Sequence, residues 1–577
     1  MSKRNYDKKP CIRVSGQAFE GWDAILNRIR KDPGSGKIVV VDCYTGICYE
    51  ELLTQLKTLP HSLLVLTPHL FRDEDAILAM TKPFVTDDPL FGYMTKLRIA
   101  DYFDTEKLQV AREQITRHEG TVLVLGCGAG AVVEGDLVIY ADMPRWELQQ
   151  RMRKKTVQGL GVSDGDKPFA TQYKRGLFND WKVLDQHKQT LYDKVHYWLD
   201  TTNAGAPVLI DRNTFLSGMA KAAGSPFRVV PFFDPAPWGG QWMKEAFGLD
   251  PDAVNYGWCF DCVPEENSLL FCINETLFET PAINLVFIQS KALLGERVLA
   301  RFGKEFPIRF DFLDTMDGGN LSLQVHPTRA FAQEHFGIAY TQDESYYLLD
   351  AKEDAFVYLG MKTGADPGQM LQELDAAQSG SGRPFDADRY VNKIPAKKHD
   401  HFLIPAGTVH CSGKDAMVLE ISATPFLYTF KLWDWDRLGL DGLPRPINIS
   451  RGREVINAEA DAGFAARELI NRFEVVQAGK GWVQERTGLH ESQFIETFRH
   501  TFQTAVVHYT NGSVNVLNLV EGDAVIVEGL QHEFEPLVVH YAETFIIPAA
   551  VTAYSVRPYG AGPGATCVTM KACIKEA

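Results

Sequence analysis

The first two hundred residues alternate short apolar runs with helical patterns. Residues 37–45, 62–68, 121–125 and 136–141 are short apolar runs, and between them Tyr49–Leu59 and Thr105–Arg117 repeat their apolar residues at helical spacing. Strands that are apolar on both faces and alternate with helices predict a three-layer α/β unit around a parallel sheet. From about residue 223 the pattern changes to many short strands. Leu321–Val325 and Tyr346–Leu349 belong to it, and a Pro405-Ala406-Gly407 turn leads into a further strand at His410. Residues 365–390 read as a helix and polar loop, including Ser381 and Gly382, inserted before the closing strand, and 453–473 as a helical connector. Beyond Phe473 the strands resume at Thr504–Tyr509, Val514–Leu519, Ala524–Val527 and Thr544–Pro548. The predicted organisation is an α/β domain over 1–222, a mainly-β domain over 223–455 and a second β barrel over 456–577.

Composition narrows the partners. Lys and Arg total 59 against 74 Asp and Glu, a net charge of −15, which argues against nucleic acid and anionic membranes. The basic start (Lys3, Arg4, Lys8, Lys9) lacks an apolar stretch behind it, so no leader is expected, and no run is long and apolar enough to suggest a membrane span. The ten cysteines, among them Cys43, Cys48, Cys127, Cys272, Cys411 and Cys567, lie mostly in apolar runs. They read as reduced core thiols of a cytoplasmic protein. Cys259 and Cys262 form a lone pair without the second pair that a zinc ribbon needs.

Two glycine-rich stretches in the α/β part are expected to be structural turns. Gly34-Ser35-Gly36-Lys37 precedes its strand, whereas a phosphate loop follows one and opens a helix. Gly126-Cys127-Gly128-Ala129-Gly130 runs into Val132–Asp136 and the next strand, with no helix expected to present its N–H groups. With Asp142-Met143-Pro144-Arg145 and the following Arg151 and Arg153, the region resembles nucleoside-kinase-like P-loop folds that have lost the phosphate loop. The resemblance implies a degenerate, non-catalytic relative.

Chemistry concentrates between Leu321 and His410. Gln324 and His326 share a strand face by the two-residue period, Glu344 starts one apolar run and His410 another. An amide, a carboxylate and two imidazoles brought together in one barrel are a ligand set for a divalent metal of the zinc type. His335, His399 and His401 are read as core residues.

Around these residues the chain resembles type I mannose-6-phosphate isomerases over roughly its last 350 residues. The resemblance rests on Pro237-Trp238-Gly239-Gly240, Tyr256-Gly257-Trp258, Leu294-Gly295-Glu296, Phe306–Asp314, Gln324-Val325-His326-Pro327, the 418–437 segment and Pro444-Arg445-Pro446-Ile447. It implies cupin (jelly-roll) barrels and one zinc on Gln324, His326, Glu344 and His410. The implied activity is aldose–ketose isomerisation of a sugar phosphate, with Glu420 as base or sugar-orienting group and Lys431 as its catalytic companion. Gln342, Arg437 and Lys393 are the candidate substrate-binding residues. The chain departs from the family at Lys431 and Gln342, where the family has Arg and Lys, and at Asn448, where it has His. Lysine at 431 keeps the charge but loses the bidentate fork. A non-catalytic sugar-phosphate binder and a bifunctional kinase–isomerase are the alternatives. Thr552-Ala553-Tyr554 stands where the second barrel would place a ligand, so that barrel is expected to hold no metal.

Overall fold

In the computed structural model the residues described are 5–32, 36–380, 383–423, 428–560 and 564–576. Gly34, Ser35, Ser381, Gly382 and residues 424–427 of the 418–437 segment lie outside them.

The apolar runs of the first part form a seven-stranded sheet. Its parallel members are Ile38–Cys43, Leu63–Leu66, Val122–Gly126, Leu137–Asp142 and Tyr197–Asp200, arranged spatially as second, third, first, fourth, fifth. Val208–Asp211 and Ala18–Glu20 extend it antiparallel. The two-residue period separates the faces: Val39, Val41 and Cys43 join Ile25, Leu26, Leu52 and Leu56 of helices Trp22–Arg30 and Tyr49–Leu56 in one core. Val40, Val124 and Tyr140 face the other way, into a core shared with Leu184 and Phe215 of helices Trp181–Gln189 and Arg212–Gly224. That second core continues into the β-rich part, so the layer is one wall of a larger body.

Three features differ from the sequence expectations. The glycine stretch at 126–130 does open a helix, Ala129–Val132, but of four residues only. The amides of Gly128 and Gly130 donate to the Asp42 carboxylate at 3.1 and 2.7 Å, so an internal anion sits where an external one would. Cys272, expected as a reduced thiol, is disulfide-bonded to Cys11 across a Cα–Cα distance of 5.9 Å. The partner was illegible because the strand Cys11–Arg13 pairs in parallel with Leu270–Cys272, far along the chain. The second β region also has more strands than the apolar runs suggested. Glu474–Gly479 is exposed throughout and offers no alternation to read.

The arginines after Asp142 hold the layer together. Arg145 pairs with Asp185, Arg151 donates to Glu147 (2.8 Å) and to the carbonyls of Gly46 and Thr201, and Arg153 grips Asp234 with two bonds of 2.9 and 2.6 Å.

From residue 232 the strands assemble into antiparallel sheets. One has the order His401–Ile404, Glu344–Ala351, Ala416–Ala423, Ile308–Asp314, Trp258–Cys262, Phe232–Asp234. Opposite it lie Val391–Pro395, Phe356–Met361, His410–Ser412, Leu323–Val325 and Phe430–Trp433. A second pair of sheets, of six and four strands between Glu474 and Ile574, packs around Leu517, Leu519, Val525, Val527 and Phe545.

Candidate metal centre and anion-facing cluster

Register places the candidate ligands. In the five-stranded sheet Gln324 stands opposite His410 on one side and Lys431 on the other, so these three side chains line one face in a row. In the facing sheet Glu344 pairs with Ser422, which pairs with Arg309, and one row on Tyr346 pairs with Glu420, which pairs with Asp311. The two rows of charged side chains therefore look across the interior at the imidazoles. His326 joins from just beyond the end of its strand, fixed by a turn: the Gly407 amide donates to the His326 carbonyl at 3.0 Å. Gly407 holds φ 88, and a Cβ there would lie 2.9 Å from the Val455 carbonyl oxygen, so the position calls for glycine.

His326, Glu344 and His410 form a metal-capable group, with His326 Nε2 and His410 Nε2 each 2.9 Å from a separate Glu344 oxygen. Gln324 Nε2 lies 3.2 Å from His410 Nε2. The other ring nitrogens are committed, His326 Nδ1 to the Tyr428 carbonyl at 3.1 Å and His410 Nδ1 to the Thr408 carbonyl at 2.8 Å. Carbonyls only accept, so each ring carries its hydrogen on Nδ1 and turns an Nε2 lone pair inward. His326 Nε2 and Glu344 Oε1 are fully buried with no hydrogen-bond donor among the described residues. Two imidazole Nε2 atoms and a carboxylate that converge with both Nδ1 positions committed are a donor set that fits a divalent cation of the zinc type.

Behind this group lie two charged side chains that the sequence reading passed over. Arg309 donates to Asp311 at 2.9 Å inside the barrel, and both are buried. The signal was present in Arg309-Phe310-Asp311, where charges at a period of two interrupt an otherwise apolar strand. Glu420 is buried with Oε1 unpartnered among the described residues. Burial, then the carboxylates of Asp311 and Glu344, push its carboxyl well above the ordinary range, against the pull of Arg309 and the Ser422 hydroxyl.

Beyond Gln324 the row ends in cations. Burial pushes the partly buried Lys431 down to about 8, with Arg445 and Arg437 adding to the shift and Asp434 opposing it. Asp434 bridges those arginines, at 2.5 Å to Arg437 and 2.6 Å to Arg445. Three cations around one carboxylate leave an excess of positive charge, and Arg445 is a member that went unselected. The other candidates fall differently. Gln342 is buried and donates to Glu344 Oε2 at 2.9 Å, which makes it an orienter of a ligand carboxylate. Lys393 is exposed on an edge strand, over the Phe356 ring at 4.1 Å, and is not brought to the centre. Asn448 supports Lys431 through the backbone, its amide donating to the Lys431 carbonyl at 2.7 Å.

Comparison with known proteins gives two separate likenesses. Residues 21–224 match a family model described as a domain of unknown function (DUF8485). The β-rich part is similar to mannose-6-phosphate isomerases. A Streptococcus mutans protein of that name is 28% identical over 221 residues, 38% of this chain and 64% of the relative's length. A probable mannose-6-phosphate isomerase of Bacillus subtilis, GmuF, is 28% identical over 232 residues, 40% of this chain and 68% of its own. Among solved structures, the Bacillus subtilis mannose 6-phosphate isomerase aligns over 60% of this chain and 99% of its own at 18% identity, with a TM-score of 0.49. Among the described residues no helix is long and apolar enough to cross a membrane.

Proposed function

We propose that the chain is a zinc-dependent aldose–ketose isomerase that interconverts mannose 6-phosphate and fructose 6-phosphate or a related sugar phosphate, with its centre in a cupin barrel. The observation that carries the reading is the convergence of two imidazole Nε2 atoms, from His326 and His410, on the Glu344 carboxylate, with the Gln324 amide beside them. When bound, zinc would be held by these four side chains and would supply Lewis-acid polarisation of neighbouring sugar oxygens. Gln342 orients the Glu344 carboxylate, and the Tyr428 and Thr408 carbonyls fix the imidazole tautomers. Lys431, Arg437 and Arg445 receive the anionic end of the sugar. Glu420 moves the proton between the carbonyl carbon and its neighbour, and the Arg309 guanidinium offsets the charge of Asp311 next to it.

The named relatives support this reaction. The test is metal analysis of the purified chain together with coupled detection of fructose 6-phosphate formed from mannose 6-phosphate, in wild type and His326→Ala side by side. Bound zinc without turnover would remove the named substrate and leave the metal site standing.

A second reading, a metal-holding sugar-phosphate binder that does not turn its ligand over, is favoured by Gln342, which brings an amide where the resembling family has a lysine. Restoring Lys at 342 and Arg at 431 separates the two, since activity gained only in the double variant would support the binder. For residues 1–222 we propose a degenerate nucleoside-kinase-like fold without catalysis. The Asp42 carboxylate already occupies the Gly128 and Gly130 amides, and Lys188 is committed to Asp142 at 2.9 Å. A bifunctional kinase–isomerase would require nucleotide binding by the full chain, measurable by titration with ATP.

A further inference from the structure

The second barrel carries buried donors that nothing in the chain satisfies. Along Cys567–Ile574, Thr569 and Lys571 share one face, with Thr569 opposite His500 and Lys571 opposite Phe498 on one side and Leu517 on the other. His500 lies 4.4 Å from His508, ring centre to ring centre, and His508 stacks on Tyr554 at 5.1 Å. Both nitrogens of His500, Nε2 of His508 and the Thr569 hydroxyl are buried and have no hydrogen-bond partner among the described residues. Lys571 is 8% exposed, and its ammonium makes no hydrogen bond or ion pair among the described residues. The Phe498 ring lies 5.1 Å from it.

Lys571 and Asn515 line a cavity of about 340 Å³ at the barrel mouth, and Thr569 with His500 opposite it comes next along the strand face that Lys571 shares. At its rim Arg486 pairs with Glu496 at 2.7 Å, Arg297 donates to the carbonyls of Lys575 and Ile574, Lys575 donates to the carbonyls of His490 and Glu491, and Glu576 also lines the space. Lys571 thus lines a space large enough for a small ligand with no acceptor among the described residues bonded to its ammonium, Cys573 and Glu496 acting on it only through space. A neutral imidazole always carries one N–H, so His500 adds a donor without an acceptor. Burial without a partner costs each such group free energy that an incoming acceptor would return.

We propose that the mouth of the second barrel binds a small oxyanion of the phosphate type, with Lys571 as its principal contact and His500 and Thr569 as donors beneath. The ionisation of the cluster agrees: burial lowers Lys571, and burial followed by the Lys571 charge lowers His500. An anion reverses the first shift by pairing with the ammonium. The ammonium beside the two imidazoles repels a metal cation, which favours the anion over a histidine metal pair. The site is separate from the Glu344 centre and stands whether or not the chain is an isomerase.

The test labels Lys571 in the full chain with pyridoxal 5′-phosphate. The lysine nitrogen attacks the aldehyde carbon, water leaves, and borohydride delivers hydride to the resulting imine, giving a stable secondary amine that peptide mass mapping locates. The proposal expects labelling at Lys571 ahead of the exposed lysines. Inorganic phosphate at about ten times its dissociation constant should cut that labelling roughly tenfold by mass action. A parallel arm with fructose 6-phosphate shows whether the free ion or a phosphorylated sugar is preferred. Lys571→Arg should keep a phosphate-dependent rise in melting temperature without taking the label, and Lys571→Met should lose both. The proposal is overturned if phosphate leaves Lys571 labelling unchanged, if Lys571→Met keeps the full phosphate-dependent melting shift, or if zinc protects Lys571 where phosphate does not.

Discussion

Replacing Glu344 by Gln should have opposite effects with and without metal. In the native chain the carboxylate is buried, with the imidazole Nε2 atoms of His326 and His410 each 2.9 Å away. With zinc bound, removing the charge deletes one member of a buried charge pair, a loss of about 3–5 kcal/mol. At about 1.4 kcal/mol per decade this lowers zinc affinity by roughly two to three and a half orders of magnitude. Without zinc the sign turns. The new carboxamide has two hydrogens and can donate to an imidazole nitrogen that otherwise meets only another acceptor, so the metal-free variant should melt at or above metal-free wild type. The assay is zinc titration against a competing chelator, paired with melting curves in chelator and in excess zinc. Zinc affinity within threefold of wild type, or a chelator-induced fall in melting temperature equal in both proteins, would falsify the idea that these groups are built for a cation.

Lys431 is pushed down to about 8, so its ammonium is present below that pH and lost above it. Mannose 6-phosphate binding should weaken as pH rises through about 8 in wild type and stay level to about pH 9.5 in Lys431→Arg, whose guanidinium remains charged; a level wild-type profile counts against the anion role. Glu420→Gln should retain zinc and lose turnover by on the order of 10²–10⁴-fold if it moves the proton, and near-normal turnover would assign the task elsewhere. Asp42→Asn leaves one acceptor oxygen for the two backbone amides and removes the charged partner of His187, 2.6 Å away. It should cost on the order of 3–5 kcal/mol in denaturant unfolding. Asp42 holds the His187 imidazolium above its ordinary value despite burial, so that contribution is fully present below the unfolded histidine pKa and fades as pH rises through the folded one. Thiol titration of the unfolded, unreduced chain should find eight free cysteines of ten, because Cys11 and Cys272 are joined; ten would show the bond absent.

What the sequence disclosed followed from local periodicity. The parallel strands were visible because each is apolar on both faces, and Gln324 and His326 were visible because parity puts them on one side. Glu344 and His410 announced themselves by starting apolar runs. Arg309, Asp311 and Arg445 were in plain view as residues, but their importance depends on which strands become neighbours. That is a property of pairing registers such as Asp311 with Glu420, and no single strand contains it. Gln342 was assigned to substrate because the resembling family has a lysine there; in the structure its amide donates to the Glu344 carboxylate. The Cys11–Cys272 link lay beyond any local rule, since a sequence separation of 261 leaves no spacing to read.

That link also sets an order of events during synthesis. The strand Cys11–Arg13 is made ahead of the α/β layer, and its pairing edge, Leu270–Cys272, emerges only after that whole layer has been translated. At about 5–20 residues per second the wait is roughly 13–52 s. For that interval a nascent chain carries an unmatched strand and a free thiol, at the stage when Cys43, Cys48 and Cys127 are also emerging. The two ends of the layer are thus fastened last to first, and a ribosome that stalls before residue 272 would release a product with its earliest strand still open.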